Sequence, residues 1–165
     1  MDIWQTIVSS DVFNYTLRLG SAALMGGIIG IDREARDRPA GLRTHMMTAM
    51  AASIFTVLTL ELYVTFAAGN PDSNADPIRI IEAVTAGVAF LAAGAIIQAR
   101  GQVKGLTTGA GMWLAGALGV ACGTENYLVA LVGLFLATVI LVAIRPLEAH
   151  FSTGKDESSA RGEDR

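Results

Sequence analysis

The sequence predicts an all-α fold, a polytopic membrane protein built as a bundle of five transmembrane helices. Three observations lead there. Hydrophobic residues make up 52% of the 165-residue chain and charged residues 16%, against about 25% charged in an ordinary soluble domain. The apolar residues come in five long runs rather than with the two- or 3.6-residue period of an amphipathic element, as expected where lipid is the solvent. The charges are segregated, with four arginines, three acids and a histidine packed into the fourteen residues Asp32–His45.

Composition also narrows the function. Mean hydropathy is +0.48, and no basic face of the kind that grips nucleic acid is present. The single cysteine, Cys122, excludes an intrachain disulfide framework and a cysteine-rich metal site. The first apolar run has no cationic n-region and no small-residue cleavage site, so it is expected to stay as a helix. There is no Walker loop, no GxGxxG after a strand, no Ser-His-Asp set and no HExxH, and no enzymatic activity is expected.

Residues 1–14 form a short N-terminal segment in which Ile3, Trp4, Ile7 and Val8 would suit either an interfacial helix or a frayed end. Residues 15–145 form the transmembrane domain and 146–165 a polar tail. The first span covers about Tyr15–Ile31, where Gly26 and Gly30 make a GxxxG pair that lets two helices approach closely. The second covers about Met46–Ala68, with Met46, Met47 and Met50 as packing residues at its start. A turn cluster, Gly69–Pro77, carries no basic residue. The third span, about Ile78–Ile97, has small residues including Gly87 and Gly94. A tight polar loop, Gln98–Gly105, leads into the fourth span, about Leu106–Cys122, with Gly109 on its packing face. The fifth, about Tyr127–Ile144, is rich in Leu, Val and Ile and ends at Arg145–Pro146.

Counting basic residues sets the orientation. Arg33, Arg36, Arg38, Arg43, Arg100, Lys104 and Arg145 all fall on one side, with Lys155, Arg161 and Arg165. The positive-inside rule then places the N-terminus outside and the C-terminus in the cytoplasm.

Two groups of polar residues are candidate sites. Arg18, Glu61, Arg79 and Glu82 all fall in the outer part of the bilayer, and their formal charges sum to zero. They form either salt bridges that lock the bundle or the outer mouth of an ion or proton path, with Glu82 the best candidate for the latter. On the inner side lie Asp32, Arg33, Glu34, Arg38, Arg43, Thr44 and His45, joined by Lys104, Thr107 and Thr108. The carboxylates of Asp32 and Glu34 suit a hard cation such as Mg²⁺. The arginines around them suit phosphate, lipid headgroups or a small anion better. Topology anchors and interfacial ion pairs are the plainer alternative. Pro39, Ala40 and Gly41 give the loop a sharp turn, and Thr44 is placed to cap the second span. Thr107 or Thr108 is placed to cap the fourth.

The run Gly27-Ile28-Ile29-Gly30-Ile31-Asp32-Arg33-Glu34, followed by Arg38-Pro39-Ala40-Gly41-Leu42-Arg43-Thr44-His45, resembles the first signature of the MgtC/SapB family of bacterial inner-membrane proteins. Arg79 followed by Gly87, Phe90, Leu91, Gly94 and Ile96 resembles the second. Val103-Lys104-Gly105-Leu106-Thr107-Thr108 with Trp113 resembles the third, in order and in spacing. Ala89 and Ala92 depart from the second signature, where glycine is usual, and Asp32 stands where many relatives have Glu.

The resemblance implies a multi-pass protein of the bacterial inner membrane with five spans. It also implies a role linked in some members to growth at low Mg²⁺, to virulence through survival inside host cells, and to inhibition of the membrane ATP synthase, a possible partner here. The chain is expected to be a short form, without the soluble cytoplasmic domain of the virulence-associated members. The expected function is a non-enzymatic membrane regulator or interaction protein of Mg²⁺ limitation and envelope stress, acting through helix faces and the Arg-rich loop. The alternative is a small ion or solute transporter, with intramembrane carboxylates along its path. No cofactor is expected beyond a possible Mg²⁺, and the glycine- and alanine-lined faces favour a homodimer.

Overall fold

The computed structural model describes residues 11–67, 76, 78–99 and 102–143. Among them the chain forms five helices and one short hairpin: α1 (Asp11–Glu34), α2 (Leu42–Ala67), α3 (Arg79–Ala95), β1 (Ile97–Ala99), β2 (Gln102–Lys104), α4 (Leu106–Gly123) and α5 (Tyr127–Ala143). Two of the helices, over Leu42–Phe66 and Leu106–Gly123, are long and apolar enough to cross a membrane, and Tyr127–Val142 is a shorter apolar helix. The first helix begins four residues before the expected span, at Asp11, whose carboxylate suits the positive end of the helix dipole. The Gly69–Pro77 turn lies outside the described residues apart from Asp76, whose Oδ1 accepts the Ile78 N–H at 2.9 Å ahead of α3.

The centre of the bundle is α4, which packs against α1, α2 and α3 and more lightly against α5. It can do so because its inward positions are small: Gly109, Gly111, Ala115, Gly116, Gly119 and Gly123 are all buried. On α1 the buried residues Ala22, Met25, Gly26, Ile29, Gly30 and Arg33 repeat at helical spacing and form one stripe. A Cβ at Gly26 would lie 2.5 Å from the His45 carbonyl oxygen, and one at Gly30 would lie 2.7 Å from the Leu42 Cα, so α1 and α2 touch backbone to backbone there. Gly109 meets the Ala92 carbonyl oxygen at 3.2 Å in the same sense. Gly87 and Gly94 make no such contact among the described residues, since a Cβ at either would have nothing within 4 Å. Both are exposed on α3, whose buried residues are Val84, Val88 and Ala92.

The polar loop expected over Gln98–Gly105 is instead an antiparallel hairpin, with Ile97 opposite Lys104 and Ala99 opposite Gln102. It ends at Gly105, which takes φ 91° and whose missing Cβ leaves room for the Ala95 carbonyl oxygen. Only glycine meets both demands. Gly105 is also the N-cap of α4, with no side-chain capping bond, so neither Thr107 nor Thr108 caps that helix. Thr108 is buried in its first turns instead.

These contacts fix the helix directions. His45 lies beside Gly111, and Thr56 beside Gly123, so α2 and α4 run parallel. Arg18 reaches Gly123, so α1 runs opposite to both. One end of the bundle therefore holds the α1–α2 turn and the hairpin. The other holds the start of α1, the end of α2 and the α4–α5 turn.

Candidate functional site

Between the two ends the described helices carry no Asp, Glu, Lys or Arg. That belt runs from Arg18 to Asp32 on α1 and from Arg43 to Glu61 on α2. At 1.5 Å per residue these stretches are about 21 and 27 Å long, against a hydrocarbon thickness of about 30 Å. Large apolar side chains stand exposed around it, among them Leu24, Phe55, Phe90, Leu128 and Phe135. The ionisable groups thus form two collars.

The richer collar surrounds the α1–α2 turn. There α1 closes with the Arg38 N–H on the Arg33 carbonyl and the Asp37 N–H on the Glu34 carbonyl, both at 3.2 Å. Asp37 takes φ 50°, the left-handed residue that such a helix ending requires. The Arg33 side chain is buried, and its Nε and Nη2 donate to Asp32 Oδ2, the former at 3.1 Å. Arg36 Nε reaches Asp32 Oδ1 at 3.2 Å. Asp32 therefore serves two guanidinium groups.

Glu34 has a different task. Its Oε2 accepts the Leu42 N–H at 3.0 Å, so the last residue of α1 caps the first of α2. The carboxylate lies against Gly41, in space that a Cβ there would occupy. A negative group at a helix N-terminus satisfies an orphan donor and complements the dipole. The cap is Glu34 and not Thr44, which lies inside the helix and whose carbonyl accepts the Thr48 hydroxyl at 2.8 Å.

His45 is fully buried, not a ligand exposed at the surface of the loop. Its Nδ1 is 2.9 Å from the Gly41 carbonyl oxygen. A carbonyl only accepts, so the proton is on Nδ1 and the Nε2 of the neutral ring carries a lone pair. That Nε2 has no hydrogen-bond partner among the described residues. It faces Gly111 of α4, where a Cβ would come within 3.0 Å. The imidazole thus fills a slot formed by Gly30 and Gly111.

Arg38, Arg43 and Lys104 are exposed, and among the described residues none of them forms an ion pair. Thr107 is exposed beside Lys104 at the same end. The Asp32–Glu34 pair does not fit a site for Mg²⁺. Its two carboxylates are directed to guanidinium groups and to a backbone N–H, and no group of three or more His, Cys, Asp or Glu occurs among the described residues.

The opposite collar is arranged differently from the expected layer of Arg18, Glu61, Arg79 and Glu82. Arg18 Nε donates to the Gly123 carbonyl at 3.0 Å, and Nη2 donates to the same oxygen. Its Nη1 lies 3.3 Å from Glu125 Oε1. Arg18 thereby closes the C-terminus of α4, a favourable place for a cation. Glu61 accepts a bond from the Tyr15 hydroxyl. Arg79 and Glu82 are exposed in the first turn of α3, and among the described residues neither is in an ion pair. Asp32 and Glu82 sit at opposite ends and share no cavity. Tyr15 and Glu125 are the partners that sequence reasoning missed.

The class defined by this arrangement is an α-helical bundle with an apolar exterior and its charges held in two collars. The model of the MgtC family matches residues 19–150, and the chain belongs to that family. A protein of Synechocystis, slr0014, is 37% identical over 131 residues, covering 79% of this chain and 52% of the relative. Protein MgtC of Salmonella typhimurium is 37% identical over 102 residues, which is 62% of this chain and 40% of the relative. A putative magnesium transporter of Escherichia coli, YhiD, is 31% identical over 133 residues, 81% of this chain and 61% of the relative. The chain spans about half the length of these relatives. No solved structure matches it.

Proposed function

We propose that the protein is a five-span inner-membrane regulator that supports growth when Mg²⁺ is scarce, with its N-terminus outside and its α1–α2 turn in the cytoplasm. The charge-free belt between two collars carries this reading. Five basic residues among the described ones (Arg33, Arg36, Arg38, Arg43 and Lys104) lie at the hairpin end and two, Arg18 and Arg79, at the other, which supports the orientation. Family membership and the names of relatives support the link to magnesium.

A regulator is favoured over a transporter because three of the four groups that bound the belt on α1 and α2 are bound within the protein. Asp32 holds Arg33 and Arg36, Arg18 holds α4, and Glu61 holds Tyr15. Exposed Arg38 and Arg43 on a shaped turn are left to meet a partner such as the ATP synthase. Ala86, Ala93 and Gly94, exposed on α3, supply a face for a homodimer.

The test is flux of Mg²⁺, protons and phosphate into proteoliposomes holding the purified protein, beside growth at low Mg²⁺. The expected result is no flux above empty liposomes, with growth support lost in Arg43→Ala although that variant inserts normally. Normal low-Mg²⁺ growth of Arg43→Ala would overturn the loop's role. A second reading rests on an open cleft of about 460 Å³ beside Tyr15, Arg18 and Glu61. Flux abolished by Glu61→Gln would establish that cleft as the mouth of a transport path.

A further inference from the structure

A groove opens between α2 and α3 because α3 is held by α4 and barely touches α2. Its volume is about 320 Å³, and its walls include Ala51 and Phe55 of α2 with Ala83, Gly87 and Leu91 of α3. That volume falls at the lower end of the range for small-molecule sites. Phe55, Ala83, Gly87 and Leu91 are exposed, so the groove faces outward from the bundle. Along α3 it extends from Ile80 to Leu91, about 16 Å at 1.5 Å per residue. Its shape is long, apolar and open to one side.

One end of the groove lies toward the charged end of the bundle. Its floor residues Ala52, Val84 and Val88 pack in one cluster with Ala40 of the α1–α2 turn. Thr48, the lining residue of α2 nearest that turn, lies six positions from the start of the helix, about 9 Å. Leu91 lies four positions before the end of α3, about 6 Å. At that end of the bundle stand Arg38 and Lys104, exposed and, among the described residues, without an ion pair. Nearby Asp32 and Glu34 are engaged, and Asp37 is exposed. The collar counts Arg33, Arg36, Arg38, Arg43 and Lys104 against three acids, an excess of two positive charges.

We infer that this groove binds one acyl chain of an anionic phospholipid whose phosphate headgroup rests on Arg38 and Lys104. An apolar channel running toward a cationic collar is complementary to a molecule with an apolar tail and an anionic head. Basic pockets beside membrane helices take such headgroups on the cytoplasmic side. The inference rests on the membrane reading above, and extraction of the full-length protein from membranes only with detergent tests that reading separately.

The experiment is native mass spectrometry of the delipidated full-length protein, titrated with phosphatidylglycerol. Phosphatidylcholine of the same chains and glycerol phosphate form parallel arms. Phosphatidylglycerol is expected to be retained over phosphatidylcholine, and glycerol phosphate not to be retained. Replacing Arg38 and Lys104 together by Gln should weaken phosphatidylglycerol about fivefold per charge and erase the preference. Gly87→Leu, which has open space for its side chain, should lower retention of both lipids while the protein stays folded. Equal retention of the two lipids would overturn the inference, as would displacement by glycerol phosphate alone. So would a Gly87→Leu variant that changes only the oligomer mass, which would make the groove a protein interface.

Discussion

Replacing Gly119 by Ala should cost this bundle more than any other single added methyl group on α4. A Cβ there would overlap the Ala49 carbonyl oxygen and come within 2.8 Å of the Ala52 Cβ. The obstruction is backbone, so it cannot be relieved by a rotamer change, and α2 and α4 must move apart. Overpacking of that kind costs up to about 3 kcal/mol. Alanine gains about 1 kcal/mol over glycine in helix propensity, leaving a net loss of about 2 kcal/mol. The matched control is Gly20→Ala in the interior of α1, where a Cβ meets nothing within 4 Å and only the gain of about 1 kcal/mol remains. The two identical changes should therefore differ by about 3 kcal/mol, or some 6–12 °C in Tm at about 2–4 °C per kcal/mol for a chain of this size. Thermal melting of both variants in one detergent, followed by circular dichroism, measures it. Equal melting temperatures would refute the backbone contact between α2 and α4.

Two further substitutions test the collars. Arg18→Ala strips the Gly123 carbonyl and Glu125 of their shared partner. It should destabilise by about 1.5–3 kcal/mol, the range for hydrogen bonds to charged groups. A melting temperature within a degree of the parent would show that the clamp contributes nothing. Glu34→Ala removes the cap on Leu42 and should cost about 1 kcal/mol. Hydrogen exchange at the first turn of α2 should quicken while α5 is unchanged, and uniform exchange across the two helices would contradict the capping role.

Much of this architecture was legible in the sequence because lipid-length apolar runs are a strong local signal. Five runs predicted five helices, and the expected and observed ends agree within about four residues. The dense turn at Asp32–His45 was equally plain as a concentration of charge. What stayed hidden depends on partners far along the chain. Arg18 and Gly123 are 105 residues apart, and nothing near Arg18 announces a helix end waiting for it. Glycine is ambiguous for the same reason, since Gly26 and Gly94 read alike until the neighbouring helix is known. His45 followed four arginines and looked superficial, yet glycines on α1 and α4 make the slot that buries it. The three-residue strands of the hairpin were too short to show any alternation. Thr44 was a reasonable cap by residue type, but Glu34 reaches the helix start first.

The arginine clamp also sets a timetable for biosynthesis. When Arg18 is added to the growing chain it has no α4 to close, and 105 residues must still follow before Gly123 exists. At about 5–20 residues per second this takes between about 5 and 20 s. Through that interval the first helix carries an uncompensated cation near its leading end. The first two helices can pair through Gly26 and Gly30 as they emerge, but the clamp itself closes only when the fourth arrives. A chain arrested before Gly123 would present an unlatched Arg18 to the quality-control proteases of the membrane.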